Sequence, residues 1–403
     1  MSDPVSATPK DQASGAEIVT LGCRLNIAES ETIRGFLAGE PDTVVVNSCA
    51  VTAEAVRTTR QAIRRLRKRR PNARLLVTGC AATIESAAFA QMPEVDGVVA
   101  NADKLSRQSW TTQIAEAVTA PAHTRAFVPV QTGCDHACTF CIIPQGRGAS
   151  VSTPIADVLR TIEGHLAAGT KEVVLTGVDV TGWGADLSGA PRLGNLVEAI
   201  LKEFHRLPRL RLSSLDGVEI DDLLFDLITG EQRIMPHIHL SLQSGDDMIL
   251  KRMKRRHSRA DAVRLSERLR TARPQIAIGA DLIAGFPTET EEMHANNRAI
   301  IADCGVVHGH VFPYSPRPGT PAARMPQVDP VLVRERAAQL RAAVAQERAH
   351  WLQTLLGTPR EVLAERDGTG HSPEFAGYRL PEGTVPGTLV TLTPTKIEEG
   401  LLA

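Results

Sequence analysis

Two α/β units built on parallel sheets and a small all-β unit are what this sequence predicts, from three observations. Short apolar runs alternate with helical patterns from residue 17 to about 115, and again from 126 to about 315. Strand–helix alternation of this kind favours parallel sheets. The second series offers six βα units, which suits an open, partial (βα)6 barrel better than a closed eight-fold one. From residue 358 the pattern changes to short β-type runs broken by Gly and Pro (EVLAE, GYRLP, TLVTLT, LLA), which predicts a small all-β barrel.

In chain order, residues 1–15 are polar and small and read as a flexible tail. Strand candidates follow at 17–21 (EIVTL), 43–46 (TVVV) and 75–78 (LLVT), with the clearest helical pattern between them at 53–70. Residues 116–125 form a weak connector. The barrel strands are expected at 126–130, 172–175, 210–212, 238–242, 276–283 and 307–312, with helices at 154–168, 193–207, 259–273 and 289–303. Thr288 followed by Glu291 reads as a capping box opening the last barrel helix. A proline-rich linker at 316–330 leads to a long amphipathic helix at 331–356. The resulting division is 1–15, 16–118, 119–345 and 346–403.

Composition narrows the function classes. With 42% hydrophobic and 23% charged residues the chain is an ordinary globular one. It has no apolar run of about 18 residues, which excludes a membrane-spanning helix, and no apolar segment resembling an export signal. A cytoplasmic protein without membrane association is therefore expected. Seven cysteines, an odd number, point to reduced thiols for metal or catalysis rather than to a disulfide framework.

Six of those thiols fall into two sets. Cys23, Cys49 and Cys80 each follow the end of an apolar run in the first unit. In an open parallel sheet the carboxyl ends of the strands share the edge where ligands bind, so three cysteines distant in sequence converge. Cys134, Cys138 and Cys141 are spaced by three and then two residues, in the loop after the first barrel strand. Thiolates of this kind hold iron–sulfur clusters, and a [4Fe-4S] cube held by three leaves one iron open to a small ligand. A structural zinc normally takes four ligands, with His136 as the available fourth; that alternative stays open here.

The text around all six cysteines resembles the radical S-adenosylmethionine methylthiotransferases. TLGCRLNIAESE, VVVNSCAVT and LLVTGCAA are similar to the first domain of that family. GCDHACTFCIIPQGRG, RLSSLD, PHIHLSLQSGDDMILKRMKRRHSR, GADLIAGFPTETEE and FPYSPRPGTPAARMP are similar to its catalytic core. The tail matches the position and length of its small RNA-binding β-barrel, called TRAM. The resemblance implies two [4Fe-4S] clusters. Cys134, Cys138 and Cys141 would hold the radical cluster, whose open iron takes S-adenosyl-L-methionine and, on one-electron reduction, yields a 5′-deoxyadenosyl radical. Cys23, Cys49 and Cys80 would hold an auxiliary cluster carrying the sulfur that is methylated and transferred. A flavodoxin- or ferredoxin-like electron donor and a monomeric enzyme complete the expectation. In such an enzyme the cofactors perform the hard chemistry and the protein positions them.

Functional side chains of a parallel barrel sit where strands end, which singles out Thr176, Gly177 and Asp179, then Ser213 and Ser214, then Gln243, as candidates to bind S-adenosylmethionine. Asp281, within an apolar strand where a carboxylate is costly unless paired, is a further candidate to bind the cofactor. His237, His239 and Cys304 read as structural.

Two basic runs are candidates for RNA phosphates. Residues 57–74 hold nine Arg or Lys and no acid, including Arg57, Arg60, Arg64, Arg65, Arg67 and Lys68. Residues 251–259 hold six, among them Lys251, Arg252, Lys254 and Arg255. The tail, in contrast, carries more acids than bases, unlike a module that grips RNA. Within the family, the LGCRLN opening and GCDHACTFCIIP lean towards the group that methylthiolates N6-threonylcarbamoyladenosine beside the tRNA anticodon, at position 37. Alternatives are the isopentenyladenosine enzymes, those acting on an aspartate of a ribosomal protein, and a non-catalytic iron–sulfur RNA-binding sensor.

Overall fold

Four strands open the chain: β1 (Glu17–Thr20), β2 (Thr43–Ser48), β3 (Arg74–Gly79) and β4 (Gly97–Val98), all parallel and in the order 1-2-3-4. The computed structural model describes residues 16–40, 42–110 and 123–403. The tail expected at 1–15 and most of the connector at 116–125 lie outside the described residues. Strand β2 is buried along its whole length, which is why it reads as a continuous apolar run and not as an alternation. Helices α1 (Arg24–Phe36), α2 (Ala53–Arg69), α3 (Cys80–Ile84) and α4 (Ser86–Ala90) make the connections. The Thr52 hydroxyl caps α2 by accepting from Ala55 N at 3.1 Å. Val56, Ile63 and Leu66, at helical spacing, pack that helix on Val44, Val46, Leu75 and Val77.

The barrel begins with β5 (Ala126–Pro129). A short antiparallel pair, β6 (Gln131–Thr132) and β7 (Val151–Ser152), then brackets the cysteine loop and α5 (Ile143–Arg147). Next come α6 (Ile155–Ala167), β8 (Glu172–Thr176), α7 (Leu193–Glu203), β9 (Arg209–Leu212), β10 (Ser214–Leu215), α8 (Asp222–Gly230) and β11 (His237–Gln243). The series closes with α9 (Asp247–Met253), α10 (Arg259–Ala272), β12 (Ala277–Ala284), α11 (Glu291–Cys304) and β13 (Val306–Pro313). Strands β5, β8 and β9 form one parallel sheet, and β10 to β13 another. Only Ser213 separates β9 from β10, so one strand line pairs with β8 on one side and β11 on the other. The result is the six-stranded partial barrel that the alternation predicts.

One expected cap moves. The N-cap of α11 is Thr290, which accepts from Met293 N at 3.3 Å, and not Thr288. Thr288 sits in the left-handed region (φ 68°), whereas an N-cap requires extended backbone.

Helix α12 (Pro330–Leu355) lays Val333, Ala337, Leu340 and Val344 on the barrel and runs unbroken across residue 345. The C-terminal sheet comprises β14 (Arg360–Ala364), β15 (Thr369–His371), β16 (Gly377–Arg379), β17 (Leu389–Leu392), β18 (Ile397–Glu398) and β19 (Leu401–Leu402), in the order 17-14-15-16-19-18. Strands β15 and β18 are too short to show alternation and escape a sequence reading. This sheet docks under the amino-terminal ends of the barrel strands: Arg209 donates to the Glu361 and His371 carbonyls, and Arg211 to Pro373 O at 3.2 Å. Among the described residues no helix is long and apolar enough to cross a membrane.

Candidate active site

The cysteines of the first unit leave the sheet at one edge. Cys23 is the N-cap of α1, Cys49 follows β2 directly, and Cys80 opens α3 at the end of β3. Their loops approach so closely that side chains beside them are excluded. Gly22 has φ 107°, and a Cβ there would lie 2.7 Å from Cys49 Cβ; at Gly79, with φ 96°, it would lie 2.3 Å from Ser48 O. Burial, with the neighbouring Cys23 and Cys80, pushes the Cys49 thiol up to about 12. Asn101 Nδ2 donates towards Cys80 Sγ at 3.6 Å, and the Arg147 guanidinium lies in the field of Cys80 and Cys23.

The second triad sits across from the first. Cys134, Cys138 and Cys141 occupy the loop between β6 and α5, and the Gly146 backbone of α5 packs on Cys80. His136 N donates to Cys134 Sγ at 3.4 Å and Arg255 Nη1 to Cys138 Sγ at 3.6 Å. Burial drives the Cys134 thiol up to about 12 and the Cys141 thiol to about 11. Both are protonated at neutral pH, so metal loading releases protons. All six cysteines are free thiols. His136 Nε2 is engaged by Asp179 Oδ2 at 2.8 Å, which raises its pKa, and by Arg256 at 3.2 Å. His136, Cys134 and Asp179 bring ligand atoms within 4.8 Å of one another, so His136 stands beside the thiol as well as the carboxylate.

The strand-end residues converge above the barrel with unequal roles. Gln131 Oε1 accepts from Val178 N (3.0 Å) and Asp179 N (2.8 Å), shaping the turn after β8. A Cβ at Gly177 would lie 2.8 Å from Gln131 O. Thr176 is buried and its carbonyl accepts from Val130 N. Ser213 Oγ is buried and has no partner among the described residues. Ser214 and Ser241 hydroxyls are 2.9 Å apart, and Gln243 sits at φ 65° where β11 slips register. Asp281, lower in the barrel, is paired after all: His239 Nε2 lies at 3.0 Å and His310 Nδ1 at 3.2 Å. Burial opposes its charge, but His239 and His310 hold the carboxyl far below the usual range.

Known proteins resemble this chain along nearly all of its length. The Radical SAM superfamily matches residues 128–296, and an uncharacterized protein family, UPF0004, matches residues 16–100. The threonylcarbamoyladenosine tRNA methylthiotransferase MtaB of Rickettsia prowazekii is 44% identical over 96% of both chains. The tRNA-2-methylthio-N(6)-dimethylallyladenosine synthase of Novosphingobium aromaticivorans is 34% identical over 95% of this chain and 96% of its own. This chain belongs to the radical S-adenosylmethionine methylthiotransferase family. The fold of the methylthiotransferase is also that of the radical S-adenosylmethionine methyltransferase TsrM from Kitasatospora setae (TM-score 0.51, 16% identity, 73% of this chain and 66% of that one).

Radical SAM enzymes use S-adenosylmethionine and a [4Fe-4S] cluster, and the Cys134 loop fits one. It offers three free thiols on one loop, with a backbone N–H aimed at the Cys134 sulfur and the Arg255 guanidinium at the Cys138 sulfur, donors that would stabilise those sulfurs once a metal replaces their protons.

The basic runs of the methylthiotransferase are less uniform than the sequence suggests. Acids from other segments meet several cations of the 57–74 run. Arg60 pairs with Glu85 at 2.7 Å; Arg67 bonds the carbonyls of Glu94, Pro71 and Ala73 as well as Asp96, pinning the end of α2 to β3. Arg57 pairs with Glu54 one turn back. Arg64, Arg65 and Lys68 are exposed, Arg64 with its Nε 3.9 Å from Glu94 Oε1. In the second run, Lys251 and Lys254 are exposed and Arg252 reaches Thr288 O at 3.4 Å. Arg255 corrects the surface expectation: its side chain is 7% exposed, bound to Asp216 Oδ2 (3.0 Å) and Ser241 O (2.9 Å) and directed at Cys138. Desolvation of a guanidinium is offset there by a carboxylate, so the run is split between surface and site. Sequence reasoning missed Gln131, Arg147 and Asp216; the GRG after the third cysteine and the acid closing RLSSLD were the available signals.

Proposed function

We propose that the protein methylthiolates N6-threonylcarbamoyladenosine at position 37 of tRNA, in the cytoplasm and as a monomer. The observation that carries this is the 44% identity, end to end, with a relative named for that substrate, joined to two thiol triads that face each other. Cys134, Cys138 and Cys141 hold the radical cluster, and Cys23, Cys49 and Cys80 an auxiliary [4Fe-4S] cluster. Together with S-adenosylmethionine these groups supply the radical and the methylated sulfur when bound. The protein's own part is positioning. Ser213, with its unpartnered buried hydroxyl, and Gln243, Thr176, Gly177, Asp179 and Ser214 line the face where the cofactor binds. Arg255 and Asp216 brace the Cys138 side. Arg64, Arg65, Lys68, Lys251 and Lys254 meet RNA phosphates, and the electron comes from a flavodoxin- or ferredoxin-like protein. In this division residues 16–118 carry the auxiliary cluster, 119–345 the radical core, and 346–403 the TRAM-like unit.

The test offers the reduced, reconstituted enzyme three substrates: tRNA bearing threonylcarbamoyladenosine, tRNA bearing isopentenyladenosine, and the ribosomal protein. A methylthio mass increase confined to the first is expected. An increase confined to either of the others overturns the substrate while leaving the chemistry in place.

A further inference from the structure

Arg24 follows Cys23 directly, yet its guanidinium points away from the first unit towards the barrel, 5.9 Å from the Phe375 ring centroid. It is half-buried, and no hydrogen bond or ion pair reaches it from any described residue. The acids around it are already engaged. Asp281 holds His239 (3.0 Å) and His310 (3.2 Å). Glu172 holds Arg125 (3.2 Å), Arg209 (3.6 Å) and Arg211 (2.7 Å), and Glu365 holds Arg125 and His371. Below, Phe375 stacks on His237 and His371 and closes the floor. Beside it, the His310 side chain is 57% exposed, so this part of the lumen is open. A half-buried guanidinium without an acceptor is costly unless a ligand supplies one.

We infer that Arg24 is a specificity-determining residue that binds the carboxylate of the substituent on the target adenosine. The inference rests on the substrate proposed above. A threonylcarbamoyl group carries a free carboxylate, to which a guanidinium donates two parallel hydrogen bonds. An isopentenyl group carries no polar atom and would leave Arg24 unpaired. Arg24 is the residue after Cys23, so the chain itself ties this contact in the lumen to the segment that carries the auxiliary triad.

The experiment measures binding of the reconstituted holoenzyme to two anticodon stem-loop RNAs, one with threonylcarbamoyladenosine and one with its methyl ester. Wild type is expected to prefer the acid by about tenfold or more, the scale of a charge-assisted pair. Arg24→Gln is expected to bind both alike, and Arg24→Lys, which keeps the charge but loses the fork, to fall between. The preference is a ratio within one protein, so altered cluster loading does not confound it. An unchanged preference in Arg24→Gln overturns the assignment alone, provided wild type methylthiolates the acid RNA. If wild type modifies only isopentenyl RNA, the substrate proposal and the role of Arg24 fall together.

Discussion

Arg147 Nη1 and Nη2 donate to the two carboxylate oxygens of Glu29, at 2.8 and 3.0 Å, with both side chains almost fully buried. Arg147 closes α5, just after the Cys134 loop, and Glu29 lies in α1, just after Cys23. Lys104 adds a third charge at 2.6 Å. One buried ionic group therefore locks the orientation of the two thiol triads.

Breaking that lock leaves buried charge without a counter-ion. Glu29→Gln is expected to destabilise the protein by about 3–5 kcal/mol, read by denaturant unfolding. Arg147→Lys retains the charge but loses the fork. It is expected to lower methylthio transfer more than 5′-deoxyadenosine formation, since the two triads lose their fixed relation while each stays intact. Equal loss of both activities would contradict this.

Anaerobic reconstitution is expected to give about eight irons per chain, two cubes of four. Replacing Cys134, Cys138 and Cys141 with Ala should halve that and abolish 5′-deoxyadenosine. Replacing Cys23, Cys49 and Cys80 should also halve it while leaving S-adenosylmethionine cleavage. Four irons in the wild type, or tightly held zinc, would refute two clusters.

The exposed cations separate from the structural ones by measurement. Arg64→Gln, Arg65→Gln and Lys68→Gln together should weaken tRNA binding and flatten its salt dependence by up to about 0.9 units of slope per lost phosphate contact. Arg67→Gln removes bonds to three carbonyls, so it should lower thermal stability. An unchanged salt slope in the triple variant would make the run a solvated face.

Acid should unfold the barrel floor. Burial opposes the charge of Glu172, but Arg211 and Arg125 outweigh it and hold the carboxyl down to about 2. A depressed folded pKa gives stability that is present above the unfolded value, about 4.3, and is lost as pH falls towards 2. Glu172→Gln, which removes the counter-charge that Arg125, Arg209 and Arg211 share, should cost about 3–5 kcal/mol at neutral pH and remove that acid dependence. Circular dichroism against pH checks both.

By itself the sequence determined the three kinds of architecture and the six thiols. Apolar runs at strand and helix period report burial locally, as in β2 and α2, and a loop motif such as Cys134–Cys138–Cys141 is contiguous. The edge rule for parallel sheets was enough to group Cys23, Cys49 and Cys80. Tertiary structure alone decided which charges are surface and which are site. Arg255 and Arg67 look the same as Lys68 in a basic run, because their acceptors, Asp216, Asp96 and several carbonyls, come from segments distant in sequence. It likewise decided that Asp281 is paired and that Arg24, among the described residues, is not. Pairing depends on distances across the fold, and a charge pattern along the chain carries no information about them.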